Sequence, residues 1–261
     1  FSLLPIAIPG QPLQYFFNTI VAPTDDLRVR QALILAVDKE SMVLTVFGSH
    51  SLISNNPLSQ AGFEMRSDLL PSAYNPGEAR RLLEETGWIL EGQDSYRKRD
   101  GEPLVIKLIV PSWGSNSEVG QLVKAGWESI GVDVELTIAP GFGALKEIQS
   151  SGDYHAIGIN FFGTDPDLLR SFYASDGFYN WTGFSDSETD QLLYEASRTT
   201  LEPDHRIELY NQVFRSIADN ALVLPIRDYV NLIVAHHSVE GLKFSAQGWF
   251  PNLIDVQLSL P

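Results

Sequence analysis

The stretch Asp153-Tyr154-His155-Ala156-Ile157-Gly158-Ile159-Asn160-Phe161-Phe162-Gly163-Thr164-Asp165-Pro166-Asp167 decides how this chain is read. Tyr154 to Phe161 has the apolar, β-branched character of a buried strand, and it ends in an aromatic pair. Thr164 to Asp167 is a tight acidic turn, and an aromatic-rich loop runs on to Asn180-Trp181-Thr182-Gly183-Phe184. A strand that stops beside large π-surfaces and a carboxylate suits a pocket wall better than a core. If the strand alternates, one of Phe161 and Phe162 must face the core.

The flanking segments set the fold class. Upstream, Leu104 to Val110 and Val132 to Ile138 read as strands, separated by a helix over 118–130 and followed by one over 142–151. This order of strand, helix, strand, helix, strand predicts an α/β sheet with helices on its faces. Ligands in such sheets sit at the carboxyl ends of strands. Two lip segments, Pro111-Ser112-Trp113-Gly114-Ser115-Asn116 and 162–167, both occupy such ends and are expected to face one cleft.

Further out, residues 12–22 read as a strand, and Asp25 or Asp26 is placed to cap a helix carrying Val29, Ala32, Leu33, Ala36 and Val37 through Asp38. A second helix runs over 39–47 and closes at Gly48. Arg28 and Arg30 are expected to pair at the surface with Asp25, Asp26 or Asp38 rather than to hold ligand. Residues 49–75 form a long Ser, Asn and Pro-rich loop with a solitary His50. Asn75-Pro76 opens a helix with Ala79, Leu82 and Leu83 inward and Gly87 at its end. Beyond the aromatic loop come helices over 185–196 and 202–218, extended segments over 220–227 and 230–235, and an irregular tail from 238. His236 and His237 are adjacent, so on a strand they point to opposite faces and do not share a metal.

Composition narrows the function. The 261 residues carry a formal net charge of −15, which argues against nucleic acid, since phosphate binding needs a basic face. With no cysteine, thiol catalysis, disulfides and cysteine-based zinc sites are excluded. No phosphate loop, nucleophile elbow or His-Glu-x-x-His pattern is present. Asp165 and Asp167 lie two apart around a proline and are poorly placed to flank one scissile bond, so catalysis is not expected. No apolar run is long enough to span a bilayer, and Phe1 to Gly10 is no signal peptide. A chain that begins in this way reads as a piece of a longer protein.

Several segments together resemble the family 5 extracellular solute-binding proteins, the peptide- and nickel-type receptors of ABC importers. Asp25-Asp-Leu-Arg-Val-Arg-Gln-Ala-Leu-Ile-Leu-Ala-Val-Asp38 resembles the family's D-D-x-R-V-R-x-A helix. Tyr74-Asn-Pro-Gly-Glu-Ala-Arg-Arg-Leu-Leu-Glu-Glu-Thr-Gly-Trp88 resembles its Y-(D/N)-P-x-x-A-(K/R)-x-L-L helix. Asp100 to Leu104, Ile130 to Glu135, Tyr154 to Asp167 and Asn180 to Leu193 match further motifs in the same order. The resemblance covers nearly the whole chain. It implies a lobe of the type II periplasmic-binding-protein fold, a mixed sheet with helices on both faces. Residues 1–20 are then a hinge or crossover segment, 21–221 a C-terminal ligand-binding lobe, and 222–261 the return crossover toward an N-terminal lobe.

The resemblance also implies capture of a peptide or similar small solute outside the cytoplasmic membrane, delivery to the transmembrane subunits of an ABC permease, and no cofactor. Asp165, with Asp167 second, matches the acidic residue that pairs with a peptide's α-amino group in relatives. Trp113 is expected to stack on ligand, with Ser112, Phe162, Asn180 and Trp181 as further contacts. The loop that carries an arginine for the ligand carboxylate in some dipeptide-binding relatives is uncharged here, which shifts the expectation toward a longer peptide or another solute. The competing readings are a hydrolase-like α/β enzyme with an acidic cleft and a sensory binding module without transport.

Overall fold

Helix boundaries follow local chemistry. In the computed structural model, which describes residues 1–61, 73–199 and 201–259, the chain begins with β1 (Ser2–Ala7) and β2 (Leu13–Phe17). Then come α1 (Leu27–Leu35), α2 (Lys39–Phe47) and α3 (Pro76–Glu85), capped respectively by the side chains of Asp26, Asp38 and Asn75. The two helices expected before and after Asp38 are both present, the first ending at Leu35 and the second starting at Lys39, where the Asp38 carboxylate accepts from the Ser41 N–H. A small hairpin, β3 (Lys98–Arg99) and β4 (Glu102–Pro103), precedes β5 (Val105–Pro111), α4 (Asn116–Glu128), β6 (Asp133–Ala139), α5 (Phe142–Ser151) and β7 (Ala156–Ile159). The rest is α6 (Leu168–Tyr173), α7 (Ser187–Arg198), α8 (Pro203–Asp219), β8 (Val223–Arg227) and β9 (Val230–Ala235). The α6 helix lies within the stretch after the acidic turn that sequence alone predicts to be loop. Of the expected loop 49–75, residues 62–72 lie outside the described residues.

Five strands form one sheet in the order β6-β5-β7-β2-β8. The decisive strand β7 lies at its centre, parallel to β5 and antiparallel to β2. Strands β5 and β6 are parallel, and β8 is antiparallel to β2. The sheet is mixed because the chain enters it through β2 and leaves it through β8, and neither is part of the parallel set. Alternation sends Leu13, Tyr15 and Phe17 of β2 with Ile106, Leu108 and Val110 of β5 to one face, under α1 to α4. Phe16, Ile109, Ile157 and Ile159 go to the other, under α5 to α8. The core thus has two layers, and the sheet is apolar on both faces.

Within residues 1–20, β2 is a strand of the main sheet with all five of its residues buried. Likewise β8, within the expected return crossover, is a sheet strand whose first four residues are buried. Strands β1 and β9 lie outside this sheet, as an antiparallel ribbon paired Ser2 to Ala235 through Ala7 to Val230. Ladders of two residues on each strand, Val239–Glu240 with Gln257–Leu258 and Lys243–Phe244 with Pro251–Asn252, give the tail more order than its sequence suggests.

Candidate functional site

One edge of the sheet gathers the chemistry. The parallel strands β5, β6 and β7 all end there, at Pro111, Ala139 and Ile159. Antiparallel pairing brings the start of β2 and the end of β8 to the same edge, where Leu13 faces Arg227. The ribbon therefore joins the lobe at this edge. Gly10 forms a bridge with Phe162, and the Gln11 N–H donates to the Phe161 carbonyl at 2.7 Å. Only glycine fits at position 10: its φ is +128°, and a Cβ would stand 2.5 Å from the Phe161 oxygen.

Phe161 and Phe162 divide as alternation requires. Phe161 turns back among Phe142, Phe172 and Tyr179, with ring centroids 6.1, 4.9 and 4.8 Å away. Phe162 is 42% exposed at the edge. It stands nearly perpendicular to both Tyr229 and Trp249, at 5.1 and 4.8 Å. Ser112 and Trp113 are exposed on the same edge, at the end of β5, and the Trp113 carbonyl accepts from the Asn116 amide.

Asp165 is already engaged. Its Oδ1 accepts from the Asp167 N–H at 2.8 Å and from the Arg206 guanidinium at 2.7 Å. Partial burial raises its carboxyl, but the Asp167 N–H and Arg206 outweigh this and hold it below the usual carboxylate range. Asp167 pairs with Arg170 at 3.2 Å, one turn along α6. Both aspartates therefore arrive at the edge with their charge matched inside the chain.

The other two candidates belong to the interior. Trp181 is fully buried, with its ring centroid 6.2 Å from that of Phe16, so it packs the core and offers no face to a ligand. Asn180 is a turn residue with its amide spent: Nδ2 donates to the Ala174 and Phe184 carbonyls, and Oδ1 accepts from the Thr182 hydroxyl and the Gly183 N–H. That fourfold tie is what swings Trp181 inward. Arg28 pairs with Asp26 at 3.1 Å as expected. Arg30 corrects the reading that paired it at the surface: it is buried and donates to the carbonyls of Thr24, Asp25, Asn220 and Ala221. His237 sits by the Phe1 amine and Ser2, and His236 by Ser238.

Sequence reasoning missed Asn160, Tyr229 and Trp249. The Tyr229 hydroxyl donates to Asn160 Oδ1 at 2.8 Å, which ties β9's approach to the end of β7. It also missed Gln11 and Gln14, which are buried at this edge with no hydrogen-bond partner for either amide atom. Such orphans are rare in folded proteins and leave hydrogen-bonding capacity unused by the chain itself. Arg227 lies across Phe47 and Tyr229, its guanidinium 3.7 and 4.3 Å from their ring centres. A groove of about 450 Å³ lies between α7 and α8, bordered by Asp186, Thr189 and Arg215. It is at the opposite edge, beside Asn220 at the start of β8, and collects none of the candidate residues.

Comparison with known proteins explains this arrangement. The family described as bacterial extracellular solute-binding proteins, family 5 Middle, matches residues 6–183. The chain is 27% identical over 238 residues to the nickel-binding periplasmic protein of Escherichia coli K12, covering 87% of this chain and 44% of that protein. It is 25% identical over 250 residues to a dipeptide-binding protein of Pseudomonas aeruginosa, covering 92% of this chain and 45% of that protein. In fold it is similar to NikA from Brucella suis in complex with Fe(III)-EDTA, with a TM-score of 0.87 at 24% identity over 99% of this chain and 53% of that one. The chain spans about half the length of these relatives. Motif order, a mixed two-faced sheet and a family match over residues 6–183 agree: the chain belongs to the bacterial extracellular solute-binding proteins, family 5.

Proposed function

We propose that this chain is the ligand-capturing lobe of a two-lobed receptor, which binds a peptide or similar small solute outside the cytoplasmic membrane and delivers it to an ABC permease. The observation that carries this reading is the single edge where three parallel strands end, exposed rings project and the β1–β9 ribbon enters. A ligand held there lies between the lobe and whatever the ribbon leads to, which is the geometry of a closing cleft. The ribbon and tail present Val234, Phe250 and Ile254 to solvent at 64, 80 and 88%, a surface suited to cover by the remainder of such a receptor. Within this proposal the crossover segments narrow to residues 1–12 and 228–259.

Binding rather than catalysis is favoured because Asp165 and Asp167 are each paired with an arginine within the chain, and the pairing holds the Asp165 carboxyl below the usual carboxylate range, away from the role of an acid. Trp113 and Phe162 are the ligand contacts we propose on this lobe, with Ser112 beside them. Asp165 can serve a ligand amine only by sharing its carboxylate with Arg206. Mass spectrometry of solutes retained by the full-length receptor tests the reading. A retained peptide or chelated solute supports it. Turnover of generic ester or glycoside substrates with nothing retained would overturn it in favour of an enzyme.

A further inference from the structure

We propose that His155 is a proton-sensitive pin at the edge opposite the exposed rings: its neutral ring clamps the bend after β2 to the start of β5, and uptake of one proton at Nδ1 releases both contacts. His155 directly precedes β7, where β5 and β7 begin and β2 ends. The pin is independent of what the cleft edge holds.

The ring completes a ladder that the backbone leaves unfinished. The His155 N–H donates to the Lys107 carbonyl at 3.0 Å, beside the pairing of Leu108 with Ala156. In a longer parallel pair, a backbone carbonyl would receive the Lys107 N–H. Here the chain has just turned at Gly152, whose carbonyl accepts from the Tyr154 N–H, and the Lys107 N–H donates to His155 Nδ1 at 2.8 Å instead. A backbone N–H only donates, so Nδ1 is bare and the ring's proton sits on Nε2. Nε2 donates that proton to the Ala22 carbonyl at 3.0 Å. The neutral ring therefore meets one donor and one acceptor with nothing left over.

Ala22 lies in a bend tied at both ends. Asn18 donates from its N–H to the His155 carbonyl and from its amide to the Tyr154 carbonyl. The Thr19 N–H donates to the Thr182 carbonyl, and the Arg30 guanidinium holds the Thr24 and Asp25 carbonyls. Between these ends the hydrogen bond from His155 ties the bend to the sheet, just before the Asp26 cap of α1. Asparagine, threonine and arginine keep their charge between about pH 5 and 8, whereas histidine does not.

His155 is buried, and the charged groups that face it are Lys107 of β5, paired with Asp153, and Glu135 of β6. Burial pushes its pKa down and Lys107 adds to this; the Ala22 carbonyl, Asp153 and Glu135 oppose the shift without overcoming it. A proton on Nδ1 would set two N–H donors against each other. The ring must then turn, and turning surrenders Ala22 as well. In the unfolded chain histidine titrates near about 6.5. From there down to the folded value the unfolded state holds the proton and the folded state does not. Stability therefore falls with pH through that window, by up to about tenfold in the folding equilibrium per pH unit.

The test is NMR of this chain with nitrogen-15 histidine, the His155 ring being identified by its proximity to the Lys107 amide and by its loss in His155→Asn. At about pH 8 the ring should show a bare Nδ1 and a protonated Nε2, and it should titrate below about 6.5. Across that midpoint the Lys107 amide should lose at least about tenfold of its hydrogen-exchange protection, while the Ile109 amide, deeper in the ladder, keeps its own. His155→Asn sets an amide oxygen where Nδ1 stands and does not titrate, so the acid step in Lys107 protection should vanish. His155→Gln reaches Ala22 but leaves the Lys107 N–H unmet, so that amide should be poorly protected at every pH. A proton on Nδ1 at about pH 8, a midpoint at or above about 6.5, or Lys107 protection that ignores the titration would overturn the proposal. The unsubstituted chain decides these three points even if neither variant folds.

Discussion

The lobe treats its aromatic residues in two opposite ways. Behind the sheet, Phe16, Phe172, Tyr173 and Trp181 are all at most 1% exposed and pack against one another within about 6 Å. At the sheet edge, Phe162 and Trp249 meet at a similar distance yet keep about two fifths of their surface in water. Ring-to-ring geometry is comparable; what differs is the third partner. Behind the sheet it is aliphatic core, and at the edge it is a set of polar ties to backbone and amide groups. The first arrangement stores stability, while the second leaves ring surface open to solvent.

Substitution should separate the two. Trp181→Ala opens a large cavity in the second core layer and is expected to cost about 3–5 kcal/mol in urea denaturation, enough to threaten folding. Phe162→Ala or Trp249→Ala, each already half in water, should cost about 1 kcal/mol or less. Similar losses at both places would erase the distinction. Arg30→Ala sharpens it from the polar side. It strips partners from four carbonyls around a fully enclosed guanidinium and should cost about 3 kcal/mol, with Arg30→Lys restoring little because an ammonium cannot span the same set.

A pH experiment probes another buried charge. Lys39 is enclosed and donates only to the Ser54 carbonyl and Asn55, and burial pushes its ammonium down to about 8. In the unfolded chain it titrates near about 10.4. Between these values the unfolded state holds the proton and the folded state does not, so this residue makes stability rise as pH climbs from about 8 to about 10. The span is up to about 3 kcal/mol, and Lys39→Met should flatten the rise in parallel urea titrations. The smallest effect is expected at Asp165→Asn. Its side chain is 62% exposed although that of Arg206 is only 14% exposed, so water screens the carboxylate and the loss should stay within about 1 kcal/mol and shrink further in high salt. A large loss there would mean that the acidic turn is a structural clamp on α8.

Much of the frame was legible locally. Asn75-Pro76 announced a helix start because capping is a contact between residues three apart. The alternation of Ile106, Leu108 and Val110 announced a strand with a buried face. Of the proposed site, Trp113 and Phe162 were legible because each follows a strand end. Trp181 misled because a tryptophan in an Asn-Trp-Thr-Gly turn looks the same whether it faces water or core; the Asn180 hydrogen bonds decide that. Tyr229 and Trp249 carried no signal because their partner Phe162 is far away along the chain, in a different element.

From sequence alone came the alternation of strands and helices, the acidic turn after the central strand and the ordered motifs of the family, since periodicity, capping and turn chemistry act between near neighbours. The tertiary structure decided strand order, the entry of β2 and β8 into the sheet, the commitment of Asp165 to Arg206 and the meeting of three rings at one edge. Those outcomes depend on pairing and packing between distant segments, and no local pattern encodes which partner a side chain will meet when the chain closes on itself.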